Sequence, residues 1–146
     1  MKSGESLRRL LPGIWLGLLA ALAFVVMPVA FRVLGAPAAG SLARAVFAIE
    51  APLSLAFGAV LLMVERRAAF ARHEAAGASQ FSAEMVLVLG ALFCTIAGYY
   101  ALQPMLESAR AGVQGGPSFS QLHAIGTGFF AVKGLLVLAL AWKAAR

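Results

Sequence analysis

The stretch LLPGIWLGLLAALAFVVMPVAFRVL, which runs from Leu10 to Leu34, decides the fold of this chain. Arg32 is the single charged residue within it. An α-helix rises about 1.5 Å per residue, so roughly 20 residues cross a hydrocarbon layer of about 30 Å. Backbone groups cannot remain unpaired in lipid, and this stretch lacks the alternation of a barrel strand. The stretch therefore predicts a transmembrane helix.

Three further apolar stretches of similar length follow. The four predicted spans are Leu10–Leu34, Leu42–Val64, Ala83–Leu106 and Leu122–Trp142. The connections between them, at 35–41, 65–81 and 108–121, are short and are polar or rich in glycine, which is typical of turns and loops. We therefore expect an all-α integral membrane four-helix bundle with short loops, in which residues 1–146 form one domain.

The composition supports a membrane protein. The 146 residues are 62% hydrophobic and 12% charged, with a mean hydropathy of +0.89. A soluble domain of this length has too little interior to bury so much apolar surface, so the lipid bilayer is the expected partner. The net charge of +6 does not indicate nucleic-acid binding, because the basic residues flank apolar runs instead of clustering with aromatic residues on a polar surface.

Basic residues near the ends of membrane helices predict the orientation. The termini and the 65–81 connection carry Lys2, Arg8, Arg9, Arg66, Arg67, Arg72, Lys143 and Arg146. The opposite side carries Arg32, Arg44 and Arg110. We therefore expect a bacterial cytoplasmic (inner) membrane protein with cytoplasmic N- and C-termini. A cleaved signal peptide is the alternative for the first stretch, but that stretch is about twice the roughly 7–15 residues of a signal core.

Glu50 and Lys133 are charged residues inside predicted spans, where charge is costly and each group is a functional candidate. At about 1.5 Å per residue, they are offset by roughly 7–8 Å along the membrane normal, a gap that a lysine side chain bridges. One interpretation is a proton- or ion-linked pair. The favoured interpretation is a mutually neutralised structural pair, or a lysine that extends to the interface.

A second polar layer is predicted near the periplasmic ends of the spans. Arg32, Gln103 and His123 lie at similar depth, and Glu107 lies slightly further out. Such a layer binds a polar ligand, an anion or a metal, or it simply anchors the helices at the interface, which is the commoner case. The candidate intramembrane polar site comprises Arg32, Glu50, Gln103, His123 and Lys133.

No metal, cofactor or enzymatic activity is predicted. Cys94 is the only cysteine, which excludes an intramolecular disulfide and a cysteine-based metal centre. His123 alone falls short of the three or four ligands of a zinc site. Met27 and Met105 offer thioether ligands to copper(I), although methionines more often serve packing. The sequence contains no aspartate, phosphate-binding glycine loop, GxSxG or HExxH motif.

Several short motifs resemble one family. They are Phe24–Phe31 with its Pro28 and Phe31, Ala39-Gly40, Leu102-Gln103-Pro104-Met105, and Phe119–His123. In this order and spacing they are similar to the transmembrane protein 205-like family (domain of unknown function 4149), over roughly Gly13 to Trp142. The resemblance implies a four-helix membrane protein without an established activity, and its motif positions are Pro28, Phe31, Gly40, Pro104 and His123. Gly126 and Phe130 depart from the small polar residue and the amide expected after the histidine.

The sequence therefore predicts a non-enzymatic membrane bundle that acts in the assembly or support of other membrane components. Its candidate partners are a second copy of the chain or another membrane protein, and the GxxxG pair Gly13 and Gly17 permits close helix contact. The alternative is a small oligomeric transporter or an ion- or metal-handling protein that uses Glu50, Lys133 and the His123 layer.

Overall fold

The computed structural model describes residues 2–77, 79 and 81–146, without the side chains of residues 2, 3 and 76, so the Lys2 side chain lies outside the described part. The helices are α1 (Lys2–Ala21), α2 (Met27–Leu34), α3 (Ala36–Ala76), α4 (Ala83–Thr95), α5 (Gln103–Arg110) and α6 (Phe119–Ala144). Two segments are π-helical. Leu22–Val26 joins α1 to α2, and Ile96–Ala101 lies between α4 and α5.

These elements form four continuous helices that are long and apolar enough to cross a membrane. We call them the first to fourth spans: Gly4–Leu34, Ala36–Ala75, Ala83–Arg110 and Phe119–Ala144. The prediction of an all-α membrane four-helix bundle is confirmed. The bundle has a terminal end, where both chain termini lie, and a distal end, which holds Gly35 and the connection at 111–118.

Each span packs against two neighbours. The first span contacts the second and the fourth, and the third span also contacts the second and the fourth. The second and fourth spans therefore stand diagonally opposite each other. A contact between their side chains must cross the middle of the bundle.

The apolar core lies in the half of the bundle toward the terminal end. Its buried residues are Trp15, Leu19, Leu61, Val88, Ala91, Val137 and Leu140. Within the second span the buried positions recur at intervals of three or four residues, at Ser54, Gly58, Leu61 and Glu65. This spacing places one stripe of a helix against its neighbours, as in a coiled-coil seam. Two members of the stripe are polar, which positions them inside the bundle.

In the distal half the bundle divides into two hairpins. Helix α2 packs on α3, and the segment 96–110 packs on α6. Each π-helical segment lies just before a proline, Pro28 or Pro104. A proline lacks an N–H, and its ring collides with the carbonyl group four residues earlier. A π-helical turn relieves that collision, because its N–H groups donate to carbonyl groups five residues earlier. The Met27 N–H, for example, donates to the Leu22 carbonyl.

The connections are shorter than the sequence predicted. Gly35, with a φ of +73°, is the whole connection between the first two spans, because α3 already begins at Ala36. The expected turn at 35–41 was wrong, and Gly40 lies inside α3. A proline near the start of a helix, here Pro37, is compatible with the helix because the first N–H groups lack intrahelical partners anyway.

The expected polar loop at 65–81 was also wrong over most of its length. Helix α3 continues through this segment and ends at Ala76, before Gly77, which has a φ of +63°. Its alanine, arginine and glutamate residues are strong helix formers, although they are not apolar. Hydropathy marks where a helix leaves lipid, and the helix itself continues for several turns beyond that point.

Candidate functional site

Glu50 and Lys133 meet in the interior of the bundle. The Lys133 Nζ atom lies 2.6 Å from the Glu50 Oε1 atom, and each residue is 3% exposed. Glu50 comes from the second span and Lys133 from the fourth, so the ion pair crosses the diagonal. A lone charge at this depth is strongly unfavourable, whereas a paired and hydrogen-bonded charge is tolerated.

Ser54 and Trp15 complete a hydrogen-bonded cluster around this pair. The Ser54 hydroxyl donates to Glu50 Oε1 and accepts from Trp15 Nε1 at 2.9 Å and from Lys133 Nζ at 3.4 Å. One hydroxyl therefore uses its donor and both of its acceptor positions. We call Trp15, Glu50, Ser54 and Lys133 the polar centre. It links the first, second and fourth spans.

Aromatic rings close the polar centre on its distal side. The Lys133 Nζ atom lies 5.0 Å from the centroid of the Phe130 ring, a cation–π contact. Phe130 in turn makes an edge-to-face contact with Phe47 of the second span, with centroids 5.5 Å apart. On the other side Trp15 stacks on Phe57 at 6.0 Å. The charged pair is thus held among rings and away from lipid.

The other predicted site residues lie apart from this centre. Arg32 is exposed at the distal end of the first span. Gln103 donates from Nε2 to Glu107 Oε1 of the next helical turn at 3.3 Å. His123 is exposed and stacks on Phe119 at 5.9 Å, while Arg110 covers Phe119 at 5.0 Å. The structure therefore joins Glu50 and Lys133, and it places Arg32, Gln103 and His123 outside the polar centre.

A second set of ion pairs lies at the terminal end. The Arg8 Nε atom lies 2.6 Å from Glu65 Oε1, linking the first and second spans, and Lys143 Nζ lies 3.3 Å from Glu84 Oε1, linking the fourth and third. Glu65 is 1% exposed, and its Oε2 atom is buried without a hydrogen-bond partner. A cavity of about 180 Å³ is lined by these four residues and by their charged neighbours.

Sequence reasoning missed Glu65, Ser54 and Trp15. Glu65 was assigned to a loop, although it lies eleven residues after Ser54, on the same helical face. Ser54 lies four residues after Glu50, a spacing that brings two side chains together on one helix. Trp15 carries an N–H that requires a partner when the ring is buried, and the sequence did not indicate which span supplies it.

The polar centre is a closed arrangement. In the described part of the chain, neither the cavity at the terminal end nor an apolar groove on the first span is lined by a residue of the polar centre. In that same part, no group of three or more His, Cys, Asp and Glu side chains is placed to hold a metal ion.

Comparison with known proteins gives one result. A protein-family model described as "Domain of unknown function (DUF4149)" matches residues 10–114 of the 146. The match includes the motif positions Pro28, Phe31, Gly40 and Pro104, whereas His123 lies beyond it. No curated protein and no solved structure matches the chain.

Proposed function

This chain belongs to the family described as Domain of unknown function (DUF4149), and from that premise we propose that it is a non-enzymatic membrane bundle acting in the assembly or support of other membrane components. It is a multi-pass membrane protein of four spans in contact with lipid. We further propose that it resides in a bacterial inner membrane with cytoplasmic termini, because basic residues are concentrated at the terminal end.

The polar centre is the observation that supports this proposal. It consists of side chains from three spans that bind one another at 3.4 Å or less, in a position where neither cavity reaches them. Replacing a buried ion pair with apolar residues is often neutral or stabilising. The pair of Glu50 and Lys133 therefore serves to specify one helix arrangement, and adds little stability of its own. A bundle with one fixed arrangement presents a defined outer surface.

That outer surface is suited to helix contacts. Phe24, Phe93 and Leu135 are large apolar residues of three different spans that point out of the bundle. A methyl group added at Gly13 or Gly17 of the first span would meet no other group within 4 Å, so another helix can approach these glycines closely. Partner helices, from a second copy or from another membrane protein, are the proposed occupants of such surfaces.

The second candidate function is a small oligomeric transporter or an ion-handling protein. Charged residues at membrane depth support it in general, because they often mark ion or proton pathways. It requires water to reach Glu50 and Lys133, through an opening that an oligomer or a second conformation supplies. The His123 layer belongs to this candidate as an entry site at the distal end.

Proteoliposomes and cross-linking distinguish the two functions. The scaffold function predicts that proton and cation flux equals that of protein-free vesicles, for the unchanged chain and for Glu50→Gln/Lys133→Met alike. It also predicts discrete adducts when a photoreactive residue replaces Phe24, Phe93 or Leu135 in native membranes, and none when it replaces buried Val88. Flux that exceeds the vesicle control and disappears in the double variant would instead establish the transporter.

A further inference from the structure

An apolar groove runs along the distal half of the first span and opens outward from the bundle. It has a volume of about 430 Å³ and is lined by Val25, Val26, Val29, Val33 and Leu34 of the first span and Leu42 of the second. The π-helical segment Leu22–Val26 lies at its start, and the distal half of the first span packs on α3 alone among the other spans. The groove is therefore open to the membrane.

The distal end of this groove is positively charged. Residues 22–49 contain Arg32 and Arg44 and no acidic residue. Arg32 lies three positions after Val29 and seven after Val25, which places it next to these two valines at the edge of the groove, and it is exposed. Arg44 donates to the Ser41 hydroxyl at 3.1 Å, one residue from the groove residue Leu42. Two cations without a nearby acid attract an anionic group.

The depth of these groups matches that of a phospholipid. Arg32 lies in the last turn of the first span, where a membrane helix reaches the headgroup region, and Val29 and Val25 lie about one and two turns deeper. Guanidinium groups bind phosphate with charge-assisted hydrogen bonds. A second copy of the chain fits less well, because a two-fold contact through this face brings Arg32 toward its symmetry mate.

We propose that this groove binds one anionic phospholipid of the distal leaflet, with an acyl chain along Val25, Val26 and Val29 and the phosphate group on Arg32. The apolar lining of the groove suits an acyl chain, and the positive charge at its distal end suits a phosphate group. The site is separate from the polar centre, so it stands independently of the scaffold function.

Tryptophan quenching by brominated lipids tests the site on the full chain. Val25→Trp places a reporter in the lining of the groove, and Phe93→Trp places a matched reporter on the third span; the two residues are similarly exposed, at 58% and 62%. Both variants carry Trp142→Phe, because Trp142 is also exposed, whereas Trp15 is fully buried. The vesicles are phosphatidylcholine containing brominated phosphatidylglycerol or brominated phosphatidylcholine.

We expect the Val25→Trp reporter to favour phosphatidylglycerol over phosphatidylcholine by about fivefold, the factor that one arginine near an anionic lipid provides. The Phe93→Trp reporter shows no such preference. Arg32→Gln removes the preference, and the matched change Arg110→Gln at the same end leaves it. Circular dichroism is the control, and we expect it to show that Arg32→Gln and Arg110→Gln remain folded.

Three results would overturn the proposal. One is equal lipid preference at the two reporters, and another is a preference that survives Arg32→Gln. The third is a Val25→Trp reporter that neither lipid quenches in a chain that elutes as a dimer, since a second copy then occupies the groove.

Discussion

Lys133 of the fourth span and Glu50 of the second span form an ion pair of 2.6 Å across the diagonal of the bundle, and each is 3% exposed. Ser54 and Trp15 extend this pair to the first span. The ion pair and the neighbouring Phe47–Phe130 ring contact join the second and fourth spans, which stand diagonally opposite each other. The arrangement predicts distinct effects for each member of the polar centre and for the packing around it.

Trp15→Phe is expected to destabilise the bundle by about 1 kcal/mol. The change removes the hydrogen bond to Ser54 while a ring still stacks on Phe57, and single interhelical hydrogen bonds in membranes are worth about 0.6 kcal/mol on average. Thermal unfolding in detergent measures the difference. Trp142→Phe, at an exposed position, is the control and is expected to have no effect; equal losses would contradict the role of the indole N–H.

Gly58→Ala is expected to destabilise the bundle by about 1–3 kcal/mol, the usual range for overpacking. A methyl group there would collide with the Leu92 side chain, whose Cγ atom would be 2.7 Å away, so the Leu92 side chain or the spans that hold it must shift. Gly13→Ala meets no atom within 4 Å and serves as the control. If the two variants unfold at the same temperature, the close approach at Gly58 is not required.

Arg8→Gln is expected to destabilise the terminal end by about 2 kcal/mol, because it leaves the buried Glu65 carboxylate without its cation. The double variant Arg8→Gln/Glu65→Gln recovers most of this loss, since no buried charge remains. Arg9→Gln breaks the exposed Arg9–Glu5 pair and is the matched control, with an expected effect below about 0.5 kcal/mol. Denaturant titration measures all three, and an Arg9→Gln effect as large as that of Arg8→Gln would contradict the account.

Much of the fold is predictable from this sequence because lipid imposes a strict rule: apolar runs of sufficient length must be helices. The ends of the spans were less predictable. At Glu65 and Arg66 the apolar run ends while the helix continues to Ala76, so the end of a hydropathic run does not mark the end of the helix.

The polar site was predictable in part. Charge inside an apolar run marked Glu50 and Lys133, and their depths indicated that they were within reach of each other. Depth alone also grouped Arg32, Gln103 and His123 with them, but depth does not specify which helix face a residue occupies. The structure places these three residues on exposed or half-buried faces. Ser54 and Trp15 were missed because neutral polar groups among apolar residues give a weak signal.

A double-mutant cycle on Glu50 and Lys133 tests the central claim, that the polar centre fixes the helices by mutual neutralisation. The variants are Glu50→Gln, Lys133→Met and the pair, and the measured quantity is the free energy of unfolding in detergent or bicelles. We expect Lys133→Met to lose about 3 kcal/mol and the double variant to recover most of it, giving a coupling of about 2 kcal/mol or more. Additive losses in the double variant, with no coupling, would contradict the claim.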